Sequence, residues 1–380
     1  MNFMPNSYDV IVLGLGVMGA GAAYHLARAG HRVLAIEQFA LDHQMGSSYG
    51  ESRIIRYMYD HPLYVKLADH AFRQWRELES ESGNVLMVST GGLDFGPADS
   101  APLRLTRQVA IATGTPHEWL TPAETMQRFP QFHLRDDMMA IFQADSAVLR
   151  ASDCVIALAE CARQHGATLL TETPIHDIQV TPSGVTVAAQ GATYTADRIV
   201  IAAGPWAKRV LSMLDLDLPL QPWRQQQVFI RPPHPEDYAP ERFPIFICHE
   251  APIFYGLPDM GGTGLKMAVH KLADPVDPDT CNRAVDESEI RRVQDFARAT
   301  FPSAGDAVGG TRVCLYTMTP DEHFIVDRHP AFPHVVFAAG FSGHGFKFGP
   351  LIGRILADLA TAGTTRYPID LFSVRRFLAG

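Results

Sequence analysis

The apolar run Tyr8 to Leu13 leads into Gly14, Gly16 and Gly19, and Ala20, Ala23, Leu26 and Ala27 follow at helical spacing. This order of strand, glycine turn and helix constrains the fold more than any other stretch of the chain. Gly14 permits a tight turn, Gly16 lets backbone approach a pyrophosphate, and Gly19 lets the helix pack on the strand. The helix N-terminus supplies N–H groups and positive potential. Gly30 closes the helix and His31 to Ile36 reads as a second strand. Glu37 stands at its end, where a carboxylate accepts hydrogen bonds from ribose hydroxyls. Together these parts predict a βαβ dinucleotide-binding unit, and leave open which dinucleotide it takes.

With 380 residues, 47% of them apolar and 19% charged, the chain has material for two cores. A net charge of -9 with scattered basic residues gives no electrostatic footprint for nucleic acid or an anionic membrane. No apolar run approaches the roughly 18 residues of a membrane span, and Met1 to Ser7 lacks the charged start and apolar core of a signal peptide. A cytoplasmic protein is expected. The five cysteines, Cys154, Cys161, Cys248, Cys281 and Cys314, are odd in number and unpaired in spacing, so neither a disulfide framework nor a zinc site is expected.

Further along, Tyr64, Leu67, Ala71, Trp75 and Leu78 predict a packing helix from Pro62 to Leu78. The stretch from Val85 to Ser146 reads as short strands, such as Val88 to Phe95, with a Pro/Thr-rich connection. Ser152 is expected to cap a helix over Cys154 to Gln164. Strands are expected at Leu169 to Val180, Val185 to Ala189, Thr193 to Thr195 and Arg198 to Ala203. Gln221 to Val269 reads mainly as strands, and Glu287 to Phe301 as an amphipathic helix. The end repeats the opening idea: the apolar strand Val335 to Ala339, a turn with Gly340, Gly343 and Gly345, and a helix over Leu351 to Leu359. The expected fold is α/β, a discontinuous Rossmann-like nucleotide domain (1–85, 150–218 and 322–380) with a sheet-rich substrate domain (86–149 and 219–321).

The words GLGVMG and AGHRV resemble the start of NAD-dependent β-hydroxyacid dehydrogenases, but that likeness stops after the first forty or so residues. The segments GSSYGESRIIR (46–56), LQPWRQ (220–225), FYGLP (254–258), GLKMAVH (264–270), RVCLYTMTPDEHFIVDRHP (312–330) and GFSGHGFKF (340–348) are spread along most of the chain. By them the chain resembles the monomeric sarcosine oxidase family, including N-methyltryptophan oxidases. The resemblance implies FAD, joined through its 8α carbon to the sulfur of Cys314. It implies that Arg56 and Lys347 clamp a substrate carboxylate, that Arg53 lies over the flavin ring, and that Lys266 activates dioxygen. His270, Tyr255, Tyr316 and Ile247 would line the substrate pocket, and His344 and Phe346 would shape the turn under the flavin. The implied reaction is oxidation of a small secondary amino acid by a monomer. Sarcosine or another N-methyl amino acid is the expected substrate, cyclic amino acids such as proline or pipecolate and a dehydrogenase passing electrons to a partner being the alternatives. Taken alone, a lone cysteine packs in a core and a lone lysine guards a sheet edge. The chain departs from the family at Tyr49, where histidine is common, at Ser52, where threonine is usual, and in a shorter segment around Cys248 to Ile253, which points to a different amine substituent.

Overall fold

The structure, a computed structural model, describes residues 7–270 and 274–378. The opening residues 1–6, read above for a signal peptide, lie outside that range. The Ser7–Leu13 strand pairs in parallel with Val33–Ile36 on one side and with Ala192–Ile201 on the other. Thr168–Leu170 extends the sheet beyond Val33–Ile36, and Val335–Ala339 runs parallel to the end of Ala192–Ile201. Antiparallel additions come from Ile175–Thr181 with Gly184–Ala189, and from Ile325–Arg328. Val10, Ile11 and Val12 are wholly buried, as a parallel strand covered on both faces requires.

One face of this sheet is covered by the helices Val17–Arg28, Pro62–Ser82, Ala151–Gln164 and Gly349–Ala362. The first and last of these cross closely because glycines meet. A Cβ on Gly353 would lie 2.2 Å from the carbonyl carbon of Gly21, and one on Gly21 would lie 2.8 Å from the Gly349 carbonyl oxygen. Gly353→Val is therefore expected to destabilise by about 1–3 kcal/mol through overpacking, measured as a lower denaturation midpoint in urea.

The second sheet has eight strands in the order Val308–Met318, Gln221–Ile230, Leu265–Val269, Phe254–Leu257, Ile245–Cys248, Gly92–Pro97, Met138–Gln143 and Glu118–Leu120. Its two faces differ because side chains alternate along a strand. Leu93, Phe95, Phe246, Phe254, Met267 and Val228 point into one aromatic-rich core closed by the Glu287–Thr300 helix. Their neighbours Asp94, Ile247, Tyr255, Lys266 and Gln227 point the other way. A small sheet of Arg53–Ile55, Ala147–Leu149 and Met87–Ser89 joins the halves.

Several local expectations change. Ser152 does not cap its helix: Arg150 is the N-cap, and the Ser152 hydroxyl accepts from the Gly50 N–H at 3.0 Å, tying down a loop instead. Leu169 to Val180 is two strands in place of one, and Thr193 to Ala203 is nearly all one strand, Ala192–Ile201. Within the stretch read as short strands lie two helices, Ala101–Ala112 and Pro122–Arg128. The second is announced by a capping box between Thr121 and Glu124, a signal legible in TPAE.

Candidate active site

A cavity of about 950 Å³ runs from the first glycine turn to the polar face of the second sheet. At the near end Gly14 has φ +92°, and a Cβ there would lie 2.4 Å from the Ala202 carbonyl oxygen. Gly19 does not line the cavity; a Cβ on it would lie 1.8 Å from the Gly14 carbonyl oxygen, so it serves the helix–strand contact. Gly16 is the N-cap of the first helix and brings no capping side chain; the Val17 N–H donates to Ser48 Oγ at 3.1 Å, and the helix start lines the cavity. Glu37 is buried, accepting from the backbone N–H groups of Leu15 (2.9 Å) and Phe39 (3.0 Å). Helix N-terminus, bare glycine backbone and strand-end carboxylate together fit the pyrophosphate and ribose of a dinucleotide.

At the far end the second sheet presents Cys314 and Lys266. Cys314 is buried, on the edge strand Val308–Met318, and its sulfur accepts a hydrogen bond from Gln227 Nε2 at 3.4 Å. Lys266 lies within the sheet, 2% exposed, its Nζ donating to the Ser52 carbonyl at 2.8 Å. That placement removes the sheet-edge reading. Burial, and then the nearby Arg53, push the Lys266 ammonium well below its ordinary range. Arg53 donates to the carbonyls of Ser47 (2.7 Å) and Tyr49 (2.8 Å) and stands 5.5 Å from the centroid of Phe346. The loop carrying these carbonyls is anchored to the Cys314 strand, with Tyr49 Oη donating to the Val313 carbonyl and Ser47 Oγ to the Leu315 carbonyl.

Arg56 and Lys347 meet around Tyr59, a residue the sequence did not single out. Arg56 lies 4.9 Å and Lys347 5.3 Å from the Tyr59 ring centroid, and Lys347 Nζ donates to Tyr59 Oη and the His344 carbonyl, each at 2.8 Å. Lys347 is buried, and burial followed by Arg56 drives its pKa well below the ordinary lysine value. Arg56 donates to the Met58 carbonyl and, at 3.2 Å, to Asp94, which also accepts from His249 Nε2 at 2.7 Å. Burial alone would raise the Asp94 carboxyl; Arg56 and the His249 hydrogen bond outweigh it and hold the group below the usual range. Asp94 and His249 were missed too, although a lone Asp between Leu93 and Phe95 in an alternating strand is a legible sign of a polar face.

The remaining wall is aromatic. Tyr316 Oη lies 3.4 Å from Tyr255 Oη, and the His270 ring centroid is 5.8 Å from that of Tyr316. Burial raises both phenols, Tyr255 to about 12. Gly343, at φ +82°, lets the C-terminal turn touch this wall: a Cβ there would lie 2.3 Å from the Tyr316 ring. Ile247, His344, Gly345 and Phe346 complete the lining. The structure thus brings to one cavity every residue expected to hold cofactor or substrate or to act in the reaction, Gly19 excepted. Arg53, Arg56, Lys266 and Lys347 crowd there, so the cavity favours ligands that bring or develop negative charge.

A parallel nucleotide-binding sheet opening onto a basic cavity roofed by a second sheet is the two-domain plan of a flavin-dependent oxidoreductase. The family model described as FAD dependent oxidoreductase matches residues 9–359, and the chain belongs to that family. It is 39% identical to a monomeric sarcosine oxidase of Bacillus sp. (strain NS-129), covering 98% of each chain. It is 32% identical to the N-methyl-L-tryptophan oxidase of Salmonella heidelberg (strain SL476), covering 97% of this chain and 99% of that one. Among solved structures, NikD, an unusual amino acid oxidase essential for nikkomycin biosynthesis, superposes with a TM-score of 0.86 at 26% identity over 97% of both chains. Among the described residues no helix is long and apolar enough to cross a membrane.

Proposed function

We propose that this chain is an FAD-dependent amine oxidase acting on a small secondary amino acid, sarcosine or another N-methyl amino acid, with dioxygen as the final acceptor. The observation that carries the reading is the convergence of Arg53, Arg56, Lys266 and Lys347 on one cavity that Cys314 also lines. The activities named for the sarcosine and N-methyl-L-tryptophan oxidases at 39% and 32% identity support it. FAD bound there would supply the electronics, an acceptor for a hydride from the substrate and a donor of two electrons that convert dioxygen to hydrogen peroxide. Cys314 would hold it through an 8α thioether, and Glu37 and the glycine turn would hold its ribose and pyrophosphate.

The chain's own residues do the positioning. Arg56 offers a planar fork and Lys347 a point charge to the substrate carboxylate. Tyr255, Tyr316, Ile247 and His270 enclose the amine and exclude water, so that its carbon is aligned and its lone pair free. The C–H bond of that carbon breaks with its electron pair, leaving an imine that water hydrolyses to amine and aldehyde, formaldehyde when the oxidised group is N-methyl. Lys266 faces the charge that develops as dioxygen is reduced. A division into nucleotide segments 1–85, 150–218 and 322–380 and substrate segments 86–149 and 219–321 is supported by the separate membership of their strands in the two large sheets. Free cysteines fit a reducing, cytoplasmic setting, and the relatives named monomeric support a monomer.

Acid precipitation of the yellow protein tests the attachment: flavin is expected in the pellet from wild type and in the supernatant from Cys314→Ala. Flavin lost entirely from wild type would remove the Cys314 assignment. Peroxide release with sarcosine, other N-methyl amino acids, proline and pipecolate then tests the substrate. No peroxide from any of them would sink the oxidase reading.

A further inference from the structure

Asp94 sits in a rung of the second sheet between Ile141 and Ile247, in a strand whose flanking Leu93 and Phe95 enter the aromatic core. It is 3% exposed and lies behind the cavity wall, whereas both of its partners, Arg56 and His249, line the cavity. An apolar rung is a costly place for a carboxylate unless it is paired and hydrogen-bonded. Here one oxygen, Oδ1, serves both partners, at 3.2 Å to Arg56 NH1 and 2.7 Å to His249 Nε2. With Met58 accepting from the same NH1, the inner corner of the guanidinium is held on the protein side. The rest of the fork is left to turn toward the cavity. The His249 side chain is 9% exposed and its Nδ1 is buried with no hydrogen-bond partner. A proton on Nδ1 would be left unsatisfied, so the proton belongs on Nε2, facing Asp94.

We infer that Asp94 is a positioning residue for the reaction, aiming Arg56 at the substrate carboxylate, with His249 holding Asp94 in place through Nε2–H. This rests on the reading of Arg56 as a carboxylate partner. A mere counter-ion would behave differently. Removing a negative charge behind Arg56 would strengthen the binding of any anion and leave turnover alone, whereas removing an aiming group misplaces the reacting carbon, and small misplacements cost rate steeply.

The test uses holoenzyme of wild type, Asp94→Ala, His249→Leu, His249→Gln and Arg56→Met. Binding of propionate and of its uncharged isostere propionamide is read from the flavin absorption spectrum, and the rate of flavin bleaching by the best substrate is followed without oxygen. Asp94→Ala, which removes the shared acceptor, is expected to slow bleaching about 10- to 100-fold while propionate affinity changes less than about 3-fold. His249→Leu is expected to share the slowing, and His249→Gln, which keeps an N–H for Asp94, to recover most of it. Tighter propionate binding with unchanged bleaching in Asp94→Ala would overturn the inference, as would equal loss in the Leu and Gln variants. Arg56→Met should weaken propionate and spare propionamide; if it spares both, the carboxylate reading itself has failed, independently of the Asp94 result.

Discussion

Replacing Lys266 with methionine is expected to slow peroxide release in air about 100- to 1,000-fold, while turnover with an artificial dye acceptor stays within a few-fold of wild type. Methionine matches the length of the lysine stem and removes the charge together with the hydrogen bond to the Ser52 carbonyl, so the packing of the sheet interior is preserved. The charge is expected to matter because the first electron delivered to dioxygen creates an anion, and a fixed cation on a side chain that is 2% exposed needs no reorganisation to meet it. Burial, and then Arg53, depress the Lys266 pKa well below its ordinary 10.5. The ammonium form therefore exists only below that depressed value, and dioxygen-dependent turnover should fall as pH rises through it. The methionine variant should lack this alkaline limb. Wild-type peroxide production by Lys266→Met would show that the cation has no part in the oxygen step.

Arg56→Met is expected to lower kcat/KM for a carboxylated substrate roughly 10- to 100-fold, since each charge-assisted hydrogen bond lost contributes about 1.5–3 kcal/mol. The same change strands Asp94 with His249 alone, and breaking a buried pair by removing one partner costs about 3–5 kcal/mol. A lower urea midpoint should accompany the kinetic loss, and Arg56→Lys should restore much of the stability but less of the activity, having no planar fork. Asp94 also gives the stability an acid limb. Its folded pKa lies below the ordinary 3.8, so the pair contributes fully above that value and the contribution is lost as pH falls through the folded one. Unchanged kcat/KM in Arg56→Met would place the substrate carboxylate elsewhere.

The nucleotide half of the site was legible because its parts are contiguous: turn, helix start and strand-end carboxylate occupy residues 14–37, where Gly14 takes a φ of +92° and a Cβ on Gly19 would meet the Gly14 carbonyl oxygen. Cys314, Lys266 and Lys347 were found through motifs, since a cysteine in a strand or a lysine in a sheet has, by spacing alone, an ordinary structural explanation. Tyr59, Asp94 and His249 escaped because their role arises only when three separate elements meet at Arg56. The Ser152 cap failed for a related reason: the hydroxyl found a better use holding Gly50, 102 residues away in sequence.

Local chemistry written along the chain determined the glycine turns, the alternating strands and the helices that bury one stripe, because backbone sterics and side-chain periodicity act over a few residues. Which face of the second sheet would be dry core and which would carry charge was already implicit in that alternation. Tertiary structure alone decided that Arg56, Lys266, Cys314 and Lys347 share one cavity, and that Asp94 stands behind it. Their separation along the chain leaves such pairing to the packing of the two sheets, and the low dielectric that makes those charges effective exists only once the sheets have closed together.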